Sequence, residues 1–207
     1  LLSLPDSRFA SEDVRDRSVL ALIKRYSGDK KQAKQVVKTS RSLFEQVKEK
    51  LGLSTEDGDL LRRAASLHEI GLAIAHSGYH KHSAYLVEYS DIPGFSQVDQ
   101  KRMAQLMLNH RRKLKADMLE QACIIGGDSL VYLCLLLRLA VLAHHSRSEH
   151  ELPKLGLKVI DNNRWQITVG ESSEHYTFLL SDLHTEIEQF AKWGVKLSVV
   201  DGSMVEA

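Results

Sequence analysis

Residues 126–147, GGDSLVYLCLLLRLAVLAHHSR, decide the fold class. From Leu130 to Ala143 the only charged side chain is Arg138. A helix that is apolar on every side has no face to offer water, so this one must be central to a helical core. Gly126-Gly127 predicts a break before it, and the His144-His145-Ser146-Arg147 group follows its end at about His145. Interrupted by Arg138, the run reads as too short to cross a bilayer.

Working outward, the preceding residues carry helical periods with stop signals. A first helix is expected from about Glu12 to Tyr26, ending before Gly28. Val36, Val37, Ser40, Leu43, Phe44, Val47 and Leu51 then share one face at a 3.6-residue period, and Gly52 stops that helix. Ser54 with Asp57 three residues later is a helix-opening signal ahead of Leu60, Leu61, Ala64, Ala65, Leu67 and His68. Ser96 with Asp99 repeats the signal ahead of Val98, Met103, Leu106, Met107 and His110.

After Pro153 the texture changes. Leu155 to Ile160 and Arg164 to Val169, separated by Asp161-Asn162-Asn163, predict a β-hairpin. An amphipathic helix opens at Ser181-Asp182, runs through Leu183, Ile187, Phe190 and Trp193, and ends at Gly194. Val195 to Val200 reads as a closing strand. The expected class is therefore mainly α: a helical bundle over residues 1–150 and a small ββαβ domain over 153–207.

The chain has 207 residues, 43% hydrophobic and 27% charged, a balance that supports a real core. Formal net charge is only +1, yet residues 1–50, 51–100, 101–150 and 151–207 carry +5, −4, +4 and −4. A fold could gather the two basic stretches on one face. Cys123 and Cys134 are the only cysteines, which excludes a disulfide scaffold and suits a reducing compartment. No signal-peptide pattern starts at Leu1, and the absence of Met there suggests a fragment of a longer protein. The expected location is the cytoplasm, with a peripheral position at the inner membrane as the alternative.

Eight of the ten histidines lie between His68 and His150, which raises the question of a metal. Ala64 to Gly71, AASLHEIG, places an adjacent imidazole and carboxylate, His68-Glu69, on an apolar helix. Helical phosphohydrolases of the HD class use a His-Asp pair of this kind to hold a divalent cation. That class also needs an earlier His and a late Asp, where this chain has Gln32 and Val141. Valine cannot ligate, and one His with one Glu falls short of three or four ligands, so no metal is expected. Three further groups, Tyr79-His80-Lys81-His82-Ser83, Asn109-His110-Arg111-Arg112-Lys113 and His144-His145-Ser146-Arg147, bring imidazole, ammonium and guanidinium groups to helix ends. Such donors line phosphate channels; complementing a helix dipole would by itself account for Arg111 to Lys113. There is no Walker-type loop, nucleophile elbow or HExxH, and 6% aromatics offer no stacking platform for single-stranded nucleic acid.

Together AASLHEIG, YHKHSAYLVEYSDIPGFS, LNHRRK and LLLRLAVLAHHSR resemble the carboxy-terminal half of the exopolyphosphatase / guanosine pentaphosphate phosphatase family, with the exopolyphosphatase branch as the better fit. The resemblance runs over nearly the whole chain, into the tail with Trp165. It implies a degenerate HD-like domain over 1–150 and a small α/β domain over 153–207. It also implies that an amino-terminal catalytic half, with actin-like subdomains and Mg²⁺, is missing. The region would then bind polyphosphate and support a homodimer, with no nucleic acid, no transmembrane segment and no cofactor of its own. His80, Lys81, His82, His110, Arg111, Arg112 and Arg147 are the expected polyphosphate contacts, with Lys30, Lys31 and Lys34 at the outer end, and binding should strengthen toward about pH 6 as imidazoles protonate. The alternatives are an active HD-type metal phosphohydrolase, a guanosine pentaphosphate phosphatase region, and a purely structural dimerisation bundle.

The chain by itself is expected to be inactive as an exopolyphosphatase. Incubated with polyphosphate and Mg²⁺, it should release no phosphate above a blank. Release that survives repurification would contradict this.

Overall fold

The computed structural model describes residues 7–26, 28–145, 154–170 and 176–201. Helices α1 (Ser7–Arg25), α2 (Lys30–Leu51) and α3 (Thr55–Leu67) are followed by a 3-10 turn, Ile70–Ala73. Then come α4 (Tyr79–Tyr89), α5 (Gln97–Asn109) and α6 (Ala116–Ala143). The tail is β1 (Leu155–Asp161), β2 (Arg164–Val169), α7 (Tyr176–Lys192) and β3 (Lys196–Asp201). The protein is mainly α with a small α/β tail.

Local chemistry sets most helix ends. The Asp29 carboxylate accepts from the Lys31 and Gln32 N–H groups at the start of α2, and Gly52 closes that helix at φ 64°. Ser54 with Asp57 and Ser96 with Asp99 each form a reciprocal capping box, satisfying donors that a helix start leaves open. Val36, Leu43 and Val47 of α2 are fully buried, as the period predicts.

Two boundaries differ from the sequence reading. Helix α1 starts at Ser7, five residues before the expected Glu12. Helix α7 starts at Tyr176, not at Ser181, because buried Leu179 extends the face of Leu183 by one turn. Gly126-Gly127 breaks α6 as the sequence reading expected: Gly127 sits at non-helical φ 63°, ψ −162°, and divides α6 into two helical segments that meet at a kink. A Cβ on Gly126 would lie 2.7 Å from the Leu130 Cβ, so the kink needs glycine there too. Counted across the kink, α6 has 28 residues and passes for a membrane span by length and hydropathy alone, as the core helix of a folded bundle also can. Its apolar window is 67% buried by the rest of the protein, as a central core helix is. From Leu130 to Val141 every residue is buried.

The sheet has the order β1-β2-β3, with β1 and β2 antiparallel and β3 parallel to β2 after the α7 crossover. Fully buried Trp165 of β2 joins the layers: its ring lies 5.8 Å from that of Tyr132 on α6 and 6.0 Å from that of Phe190 on α7. Edge strand β1 is tied to α2 by one amide. Gln46 accepts from Leu157 N–H at 2.7 Å and donates to the Leu155 carbonyl at 3.2 Å.

Helix α7 is fastened by three polar contacts. Arg138 of α6 and Glu186 of α7, both buried, form a two-pronged ion pair in which Arg138 Nη2 donates to Glu186 Oε1 at 2.8 Å and Nε to Oε2. Leu114 N–H donates to Gln189 Oε1 at 3.0 Å, and Trp193 Nε1–H to the Lys115 carbonyl at 3.1 Å. Removing one partner of a buried ion pair strands the other charge. Glu186→Ala should therefore destabilise the chain by about 3–5 kcal/mol, read as a lower urea midpoint. A midpoint within error of the parent would mean that α7 docks without this pair.

Candidate functional site

The segment AASLHEIG closes α3 and turns the chain into α4. Fully buried His68 caps α3, and its Nδ1–H donates to the Ala65 carbonyl at 2.7 Å. Gly71 must be glycine, since a Cβ there would stand 2.2 Å from the Tyr79 carbonyl oxygen and 2.4 Å from the Ser83 nitrogen. Ser83 seals the junction: its hydroxyl accepts from Gly71 N–H at 2.8 Å and donates to the His68 carbonyl at 2.9 Å. LHEIG and YHKHS are thus one packing unit, although the sequence reading treated them as separate motifs.

His110 caps α5 as His68 caps α3, donating from Nδ1–H to the Met107 carbonyl at 2.5 Å. The two rings meet edge to face with centroids 5.5 Å apart, and His80 meets His110 likewise at 6.3 Å. His144, at the end of α6, joins from the α2 side. Its Nε2 lies 2.8 Å from Thr39 Oγ1, and its carbonyl accepts from Gln32 Nε2 at 3.0 Å. Burial disfavours the charged form of His80, His110 and His144. His80 is pushed down to about 4 by burial, then by the charges of Arg111, Lys81, Arg112 and His82. Burial and His68 push His144 down to about 4, and burial, His68 and other neighbours hold His110 well below the ordinary range.

These donors do not form the metal centre of an HD phosphohydrolase. Gln32 occupies the early position and spends its amide on the His144 carbonyl. Val141 has no donor, and the nearest Glu69 oxygen is 3.9 Å from His68 Nε2. Among the described residues no group of three or more His, Cys, Asp or Glu side chains is placed to hold a metal ion.

The charged groups lie outside this neutral cluster. A cleft of about 170 Å³ opens between the end of α5, the last turns of α6 and helix α7. Tyr79, His110, Arg111, Arg112, Arg138, Val141, His145, Asp182 and Glu186 are on its wall. The Arg111 guanidinium lies over the Tyr79 ring, 4.5 Å from its centroid. Among the described residues neither Arg111 nor Arg112 has a carboxylate within ion-pair distance. A larger groove of about 470 Å³ runs between α2 and α3, where Lys48 pairs with Glu45 at 2.7 Å and Arg62 with Asp16 at 2.9 Å.

Of the residues singled out from sequence, His80, Lys81, His82, Arg111 and Arg112 come together around one neighbourhood. Lys81 and Arg112 are exposed, and His82 and Arg111 half-buried. His80 and His110 are buried behind the rim, and burial first of all lowers both pKa values, which disfavours their protonation near pH 6. Lys30, Lys31 and Lys34 are exposed at the start of α2, which Gln32 brings to the end of α6. Arg147 lies outside the described residues. Sequence reasoning missed Arg138 and Glu186 as part of the site. The signal was available, because a lone charge in an apolar run requires a buried partner.

Residues 14–187 match the sequence family described as Ppx/GppA phosphatase, domain III. The chain is 33% identical over 192 residues to the guanosine-5'-triphosphate,3'-diphosphate pyrophosphatase of Pseudoalteromonas translucida, covering 91% of this chain and 38% of that protein. The protein of the same name from Aeromonas hydrophila is 34% identical over 185 residues, covering 88% and 37%. The chain thus spans less than two fifths of the length of the curated relatives it matches.

The buried imidazoles set an acid limit on stability. The unfolded chain takes up protons at His80, His110 and His144 near the ordinary value of 6.5, while the folded chain resists until about 4 at His80 and His144. Unfolding is thus favoured by proton uptake inside this window. The stability is present above 6.5 and should be lost as pH falls from 6.5 toward 4. Melting temperature should fall steadily across that interval, and less steeply in Thr39→Val/His144→Gln. A flat profile from pH 6.5 to 4 would contradict neutral buried imidazoles.

Proposed function

The chain belongs to the Ppx/GppA phosphatase family, and on that premise we propose that it is the region of such a phosphatase that holds a phosphate-rich anion. In the intact protein, water attacks a terminal phosphate of inorganic polyphosphate and orthophosphate leaves. That chemistry, with any Mg²⁺ it uses, belongs to residues outside this chain. The observation that carries the reading is the rim of the α5–α6–α7 cleft. There Arg111 and Arg112 stand without carboxylate partners among the described residues, and Lys81 and His82 share with them the surroundings of His80. Guanidinium forks match phosphate oxygens two at a time, and exposed ammonium groups add screened attraction.

A second reading is guanosine pentaphosphate as the ligand. It is favoured by the name shared by the relatives from Pseudoalteromonas and Aeromonas. Both ligands present runs of phosphoryl groups, so the same rim serves either. A homodimer, implied by the resemblance, is part of the same proposal, as is a cytoplasmic location.

The test is a titration of the chain with long-chain polyphosphate at two ionic strengths, with guanosine pentaphosphate as competitor. Affinity should fall steeply with salt. Arg111→Ala/Arg112→Ala should weaken binding about tenfold or more, since each charge-assisted hydrogen bond contributes about 1.5–3 kcal/mol. Circular dichroism should show the bundle intact in that variant. If the double variant binds like the parent at low salt, the anion does not pass this helix end.

A further inference from the structure

Among the described residues Arg112 is the only non-glycine residue with positive φ, at 68°. The other left-handed positions are Gly52, Gly78, Gly94, Gly127 and Gly194. For an L-residue with a long side chain this conformation is strained, and glycine adopts it freely. The strain is imposed from both sides. Upstream, buried His110 is tied to the Met107 carbonyl. Downstream, buried Leu114 donates to Gln189, and the Lys115 carbonyl accepts from Trp193. The backbone path is therefore set by its neighbours, and only the side chain at position 112 is free to vary.

That side chain does nothing for the fold. Arg112 is exposed and makes no hydrogen bond or ion pair with any described residue. Two carboxylates line the same cleft, but Glu186 is committed to Arg138, leaving Asp182 against the two arginines and His145. Arg111, next to it, is steadied by the Tyr79 ring. Two neighbouring guanidinium groups, one steadied by a ring and one on a strained backbone, fit a tetrahedral oxyanion better than they fit any group among the described residues.

We propose that Arg112 is a dedicated binding residue, held in a left-handed backbone position so that its guanidinium and that of Arg111 close on one phosphoryl group at the mouth of the α5–α7 cleft. The inference rests on the anion-holding reading above and sharpens it to one position where binding and stability are opposed.

The test uses the 207-residue chain with tripolyphosphate as titrant and orthophosphate as competitor. Arg112→Gly should melt higher, by roughly 2–4 °C if the released strain is about that of one left-handed residue, and should bind tripolyphosphate at least tenfold more weakly. Arg112→Lys should melt like the parent and keep affinity within a few-fold. Orthophosphate should displace tripolyphosphate from the parent, as expected for a site that grips a single phosphoryl group, and failure to displace it overturns that assignment. If Arg112→Gly melts higher but binds like the parent, the side chain has no binding role. If it melts at or below the parent temperature, the strain argument fails. A parent chain that binds no tripolyphosphate at low salt removes the anion-holding reading itself, and this inference with it.

Discussion

A single guanidinium sits where the apolar helix α6 can least accommodate it. Arg138 is 4% exposed, and stripping water from such a charge costs several kcal/mol unless it is fully paired. Its Nε and Nη2 meet Glu186, while Nη1 donates to the Asn109 carbonyl at 3.2 Å. One side chain thus joins the core helix, the end of α5 and the tail helix. That demand for a countercharge acts with the Leu114–Gln189 and Trp193–Lys115 hydrogen bonds to hold α7 across the ends of α5 and α6. Helix α7 is the third wall of the cleft between them.

The consequence is a division between a neutral interior and a charged rim. Behind the rim, His68, His80, His110 and His144 pack near one another, with burial as the first reason the last three shun protons. Their ring nitrogens are spent partly on helix ends, at Ala65 and Met107, as the capping role of both residues requires. In front, Arg111 and Arg112 follow directly on His110 and stay wet. The interior resembles a phosphohydrolase centre only in its residue types. A valine and a hydrogen-bonded glutamine stand where ligands would be needed, and the charged groups are at the rim.

Motif reading located the right segments but not the right partition within them. His80 and His82 are two residues apart, about 200° around a helix. One is therefore buried against His110 while the other faces outward, half-exposed. Sequence shows that spacing but not which face of α4 meets α5. The kink at Gly127 is a similar case. Two glycines signalled the interruption, but not the direction in which the chain leaves the kink.

What the sequence by itself determined is what neighbours within one turn can decide. The capping boxes at Ser54 and Ser96, the buried stripe of α2 and the strand hairpin all follow from residues three or four positions apart, or from strict alternation. Only the tertiary structure decided which charges are answered and which stand without a partner among the described residues. Arg138 and Glu186 are separated by 48 positions, and Leu114 and Gln189 by 75. Burial of a charge depends on every element that closes over it, and no local pattern records which distant residue will arrive to meet it.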